Sequence, residues 1–260
     1  MNAIIHPSAF VASTVKLGNN VSIGAFAVIE DHVEIGDGCR IGTHAVIEPY
    51  VRMGRNNQVH PHAVIGGLPQ DLGFDPNEET YVEIGDGNVL REGVTISRAT
   101  KSKSATRIGS NCYLMNNSHI AHDCMVGDNA IFASGATLGG HVQVGDRVFL
   151  GGGVMTHQFC RIGSYTMLQG LAGINRDVLP YMMVGGRPGK HYRLNLIGLR
   201  RAGIDGERLK AVSSAMRRLR NRLELDGLPD TPELSYLRSW LAVESKRGVL
   251  PFVDIHKDGD

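Results

Sequence analysis

Eleven histidines occur in this chain of 260 residues, and four of them, His119, His122, His141 and His157, fall in its central part. Their spacing has a regular component. Eighteen residues after His122 comes Gly140, next to His141, and eighteen further on comes Gln158, next to His157. If eighteen residues close one turn of a regular scaffold, these groups stack along one edge, with roughly 5 Å between levels. His119 lies in the same turn as His122. A histidine near neutral pH can take a proton from a hydroxyl. Asp123, which follows His122, can orient and support the imidazole. Gly140 offers a backbone N–H with no side chain in the way, which suits an oxyanion donor. No serine or cysteine falls in register as a nucleophile, so direct attack by a substrate hydroxyl fits the pattern. Two other readings stay open on the residues alone. Histidines from adjacent turns also bind zinc, as in a γ-class carbonic-anhydrase-like metal enzyme, and a regular solenoid can serve as a non-catalytic scaffold.

The scaffold is legible as a six-residue period. Stepping by six from Ile5 meets an apolar residue each time as far as Ile65, and a second register runs from Ile84 to Ile174 with Ser102 and Thr156 as its two exceptions. The position two earlier is mostly small, as at Val21, Ala27, Cys39, Ala130 and Ala136. Residues two apart on a strand face the same side. A large and a small inward residue per six, followed by a turn often marked by glycine, make one side of a prism. Three sides make a coil, and the register accounts for about nine to ten coils whose ends need capping. All four cysteines, Cys39, Cys112, Cys124 and Cys160, take the small inward position, where a reduced core thiol is the expected role.

The prism is assigned to residues 1–190, with loops at 66–80 and 97–107 leaving the pattern. Residues 191–260 read as a helical C-terminal domain. Asp205 is placed to cap a helix with Leu209, Val212, Met216, Leu219 and Leu223 on one face, and Thr231 with Pro232 starts another that carries Leu234, Leu237 and Leu241. Apolar residues make up 42% and charged residues 20%, as in an ordinary globular protein. The N-terminus lacks the layout of a signal peptide and no run is long enough for a membrane helix, so a cytoplasmic protein without membrane insertion is expected. The net charge of +1 hides a basic stretch: residues 187–222 hold eleven lysines and arginines against Asp205 and Glu207. An acidic partner or ligand fits such a stretch.

Three runs carry a resemblance: Ser118-His119-Ile120-Ala121-His122-Asp123-Cys124, Gly139-Gly140-His141-Val142 and Thr156-His157-Gln158-Phe159-Cys160. With Gln70-Asp71-Leu72 and residues 195–203, the chain closely resembles the UDP-N-acetylglucosamine O-acyltransferases, hexapeptide-repeat enzymes that open lipid A biosynthesis. The resemblance spans essentially the whole chain. It implies an all-β solenoid, a left-handed parallel β-helix, whose hand the period alone leaves open, followed by the small α-helical domain. It implies a homotrimer with active sites between neighbouring prisms, acyl carrier protein as partner and co-substrate, and no cofactor, metal or nucleic acid. His122 would be the general base on the sugar 3-hydroxyl, with Asp123 behind it and Gly140 holding the oxyanion. Asp71, His119, His141, His157 and Gln158 would bind the sugar or acyl hydroxyl, Asn195 and Arg201 the nucleotide, and Gly170 would leave the acyl groove open. Four positions depart from the pattern. Gly73 stands where well-known members carry lysine, Ser97 replaces a histidine, Ile197 a glutamate and Ala202 an arginine. A paralogue that acylates a different UDP-amino sugar, such as a 3-amino sugar, is the alternative those departures raise.

Overall fold

A computed structural model describes residues 3–254 of the chain. The six-residue period becomes mostly two-residue strands separated by four-residue turns, from Ile4–Ile5 to Gly173–Ile174, and successive strands fall in turn on three parallel sheets. Among the described residues the first face, which begins with Ile4–Ile5, has eleven strands; the second, from Phe10–Val11, has nine; the third, from Lys16–Leu17, has eight. The coil is eighteen residues through the uninterrupted repeat, as where His119 pairs with Thr137 and Thr137 with Met155. The whole is a left-handed parallel β-helix. The hexad residues Ile23, Ile29, Ile47, Leu90, Leu114 and Leu150 fill one continuous core with the small residues two before them.

Turn after turn, from Asn20 to Leu171, sets its third residue in the left-handed region. Along the first-to-second corner these residues include Phe26, His44, His62 and Leu171, each at a φ near +60°. That conformation costs a bulky L-residue roughly 1–2 kcal/mol. Stacking compensates part of it: Phe26 lies on His44 at 5.0 Å between centroids, and His44 on His62 at 5.2 Å.

Both loops leave the corner between the second and third faces, the corner that also bears the histidines. The first begins after the strand Val64–Gly67 and ends at Tyr81–Ile84, so it spans 68–80 rather than 66–80. The second spans 98–104 rather than 97–107, because Ala105–Ile108 pairs in parallel with Tyr81–Ile84 and belongs to the third face. Ser102 is therefore a loop residue and not a hexad position. Thr156 does hold its inward position, buried, with its hydroxyl lacking a partner among the described residues.

At the C-terminal end the first sheet continues past the repeat. Met182–Gly185 adds in parallel, and Lys190–Leu194 folds back antiparallel on it, so residue 190 begins a strand. Three helices follow: α1 (Leu196–Arg201), α2 (Gly206–Arg220) and α3 (Pro232–Ala242). Thr231 caps α3 through the Leu234 N–H. Asp205 occupies the N-cap position of α2, but its side chain accepts no capping bond, and Leu223 lies beyond that helix, exposed. The helices close the last coils: Tyr181 Oη donates to the Glu233 carbonyl at 3.0 Å, and Arg161 joins Asp177 at 2.7 Å while its guanidinium covers the Trp240 ring. At the other end Ile4, Ile5 and Phe10 stay exposed, so the capping expected there does not come from residues 3–254.

Candidate active site

His122 follows the second-face strand His119–Ile120 and sits in the turn toward Met125–Val126. The turn's third residue is Asp123, at φ +59°. This conformation brings the carboxylate back beside its neighbour's ring, with His122 Nδ1 at 2.9 Å from Asp123 Oδ2. The carboxylate also accepts the Thr100 hydroxyl at 2.7 Å and the Thr100 N–H at 3.2 and 3.3 Å. Burial pushes its pKa up, but these hydrogen bonds and the nearby His141 outweigh burial and hold it below the usual carboxylate value. An ionised carboxylate only accepts, so the His122 proton lies on Nδ1. Nε2 is left with a lone pair.

Gly140 fits against that ring. A Cβ at this position would lie 2.5 Å from His122 Cε1 and 2.7 Å from Nε2, so any side chain would displace the imidazole. Its carbonyl accepts from the Phe159 N–H, while its own N–H meets no acceptor among the described residues. An N–H without an acceptor thus belongs to the residue that packs on the His122 ring.

An open groove of about 430 Å³ passes this point, lined by His119, His122, Gly140, His157 and Gln158 together with Gln70 from the first loop. His119 Nδ1 bonds the Thr95 hydroxyl at 2.7 Å, and burial lowers its pKa. His141 does not line the groove. Its ring meets His122 edge-on, stacks on Phe159 at 4.5 Å and approaches Asp123 to 3.7 Å. Burial also lowers the pKa of His141, against the pull of Asp123.

The other candidates lie apart in the single chain. Asp71 is exposed in the first loop, where it accepts the Gly73 N–H at 2.9 Å. Gly170 sits on the first-to-second corner, where a Cβ would meet nothing closer than 3.4 Å. Asn195 caps α1 through the Gly198 N–H and donates to the Tyr165 carbonyl. This places it on the third-to-first corner, two coils above His122 and level with His157. Arg201 is exposed in the last turn of α1. Thr100, Thr95 and Arg98 carry no signal in the repeat as functional positions, and only the folded loops disclose their contacts.

One donor atom from each of His122, Asp123 and His141 lies within a 4.8 Å cluster. The metal-hydratase reading asks for a histidine trio converging across a subunit interface; within one chain this set has two histidines, and its carboxylate is already bonded by His122 and Thr100. A larger groove, about 940 Å³, runs along the third face beneath α3 between Met125 and Trp240, but none of the histidines lines it.

Comparison with known proteins agrees over the whole length. Residues 32–67 and 105–140 match the family described as bacterial transferase hexapeptide (six repeats), and residues 177–250 match UDP N-acetylglucosamine O-acyltransferase, domain 2. An acyl-[acyl-carrier-protein]--UDP-N-acetylglucosamine O-acyltransferase from Alkalilimnicola ehrlichii is 46% identical, with 95% of this chain and 98% of the relative covered. Among solved structures, UDP-N-acetylglucosamine O-acyltransferase from Moraxella catarrhalis is 35% identical with a TM-score of 0.87, covering 95% of this chain and 99% of that one. The acyltransferase from Campylobacter jejuni is 32% identical with a TM-score of 0.89, covering 96% and 100%.

Proposed function

The chain belongs to the UDP-N-acetylglucosamine O-acyltransferase family, and from that membership and the site geometry we propose that it moves a 3-hydroxyacyl chain from acyl carrier protein to the 3-hydroxyl of UDP-N-acetylglucosamine, the step that opens lipid A biosynthesis. The observation that carries the reading is the His122–Asp123 pair with Gly140 packed against the open side of the ring. His122 Nε2 takes the proton of the sugar hydroxyl as its oxygen attacks the thioester carbonyl. The Gly140 N–H receives the charge that develops on the carbonyl oxygen. Collapse breaks the C–S bond, and the imidazolium returns its proton to the departing thiolate. The thioester supplies the activated acyl group, so the reaction balances without a cofactor or metal.

His119, His157 and Gln158 line the groove where the sugar and the acyl hydroxyl would sit, with His141 supporting the pair from behind. Asp71, in the loop that brings Gln70 to the groove, is assigned to the sugar. Gly170 leaves space for a long acyl chain. Asn195 and Arg201, on another corner of the prism, serve the nucleotide of a site shared with a neighbouring subunit, which calls for the homotrimer. The basic stretch from Arg187 to Arg222 suits an acidic carrier protein. Among the described residues no helix is long and apolar enough to cross a membrane, and we place the enzyme in the cytoplasm. The domain boundary near residue 190 is retained as a working division.

The test is H122A. Loss of a general base costs typically 10²–10⁴ in rate, so kcat for transfer from 3-hydroxyacyl carrier protein should fall by about that factor. A variant with full activity would remove His122 from the role.

A further inference from the structure

Asp123 is held from two sides, and His122 is one of them. The other is the second loop. Thr100 gives the carboxylate both its hydroxyl, at 2.7 Å, and its backbone N–H, at 3.2 and 3.3 Å. The backbone of Asp123 is fixed as well, its N–H donated to Thr106 Oγ1 at 2.8 Å, with Thr106 fully buried at the loop's far end. The φ of +59° at Asp123 is that of the third residue in neighbouring turns; what sets this turn apart is the pair of bonds from Thr100 to its carboxylate. The loop starts from Arg98, which donates to the Pro76 carbonyl at 3.1 Å and so ties the second loop to the first.

We infer that Thr100 is a positioning residue of the acyl transfer reaction: its hydroxyl fixes the Asp123 carboxylate, and through it the tautomer and the aim of the His122 ring. The inference rests on the proposed role of His122. A carboxylate released from Thr100 can rotate, so that Oδ2 leaves the Nδ1–H and the ring loses the bond that holds Nε2 toward the groove. Thr100 does not line the groove, so binding of the sugar should not sense the change directly.

The test compares T100V, T100S and T100A with the wild type in the full-length protein. T100V removes the hydroxyl at similar size, and T100S restores it. Turnover of 3-hydroxyacyl carrier protein with UDP-N-acetylglucosamine should fall about tenfold in kcat for T100V and T100A, on the scale of one hydrogen bond to a charged group. KM for the sugar should stay within about twofold, and T100S should recover most of the rate. A second reading needs no turnover. The downfield proton resonance of His122 Nδ1–H, assigned by its loss in H122A, should shift and exchange faster in T100V and return in T100S. Wild-type kcat in a folded T100V, or a loss confined to KM, overturns the inference. So does a T100S as impaired as T100V. Should the wild type fail to transfer acyl groups, the proposed function falls, while an unchanged or changed proton resonance still decides for or against Thr100.

Discussion

His122 needs a partner on Nδ1, an open Nε2 and close room for the reacting carbonyl. Asp123 and Gly140 meet these needs from adjacent coils. The fit at Gly140 makes a sharp prediction. G140A puts a methyl group 2.5 Å from His122 Cε1, so the ring must turn away. Activity should fall by at least about 10², the scale of losing a positioned base, in a protein that still melts cooperatively although Gly140 is buried in its turn. Wild-type activity with the ring unmoved in a crystal structure would count against the assignment. Gly73 presents the opposite case. Its Cβ would meet only Asp71 Oδ1, at 3.4 Å, and its φ is not positive. A lysine fits there, so glycine is no steric necessity in this loop. G73K should fold and melt as the wild type does, and its KM for UDP-N-acetylglucosamine should change, since the side chain would extend from the loop that supplies Gln70.

The loops and the end cap act at the scale of elements. Arg98 is nearly buried, has no carboxylate within ion-pair distance among the described residues, and leaves Nε without a partner. Its guanidinium sits near the rings of Tyr50 and Phe74 and donates to Pro76, so it holds the first loop against the prism. R98A should therefore loosen Gln70 and Asp71 and raise KM for the nucleotide sugar about tenfold, with a smaller effect on kcat; steady-state kinetics with the sugar varied checks this. At the C-terminal end His191 is fully buried, with Nε2 accepting the Leu179 N–H and Nδ1 bonded to the Leu250 carbonyl. Burial lowers its pKa to about 4. An unfolded histidine titrates near 6.5. Above that value both states are neutral and the contribution to stability is complete. As pH falls from about 6.5 toward 4 the unfolded chain gains a proton that the folded chain refuses, and about 3 kcal/mol is lost on the scale of 1.36 kcal/mol per unit. Denaturant melts at pH 7.5 and 5 should differ by about 2 kcal/mol of this loss, the part accumulated over about 1.5 units, and by less in H191Q. None of these contacts was legible in the sequence. The loops break the period that gives the prism its register, which is why the sequence places residues 105–107 in the second loop and Ser102 on a wall. His191 lies where the period has ended.

For the whole molecule the eighteen-residue coil acts as a ruler, and it made the greater part of the site readable before any coordinates. It placed His122, Gly140 and Gln158 on one corner because each is a fixed number of strands and turns from the last. It could not align Asn195 and Arg201 with them. These follow an antiparallel strand and a helix cap, and they stand on another corner of the same prism. The proposed site shared between subunits would bring them together. If His122 and Arg201 of one site come from different subunits, H122A and R201A chains, each weakly active alone, should regain activity when co-expressed, because mixed trimers contain some intact sites. A solution mass near three chains accompanies this, and activity no greater than the mean of the two variants would argue for a site within one subunit. Mass spectrometry of the reaction of a mixed 3-hydroxyacyl carrier protein pool with UDP-N-acetylglucosamine should show the sugar nucleotide carrying one 3-hydroxyacyl group, released by mild base as an ester. No acylated UDP-N-acetylglucosamine, with acylation instead of a 3-amino sugar as a base-stable amide, would contradict it.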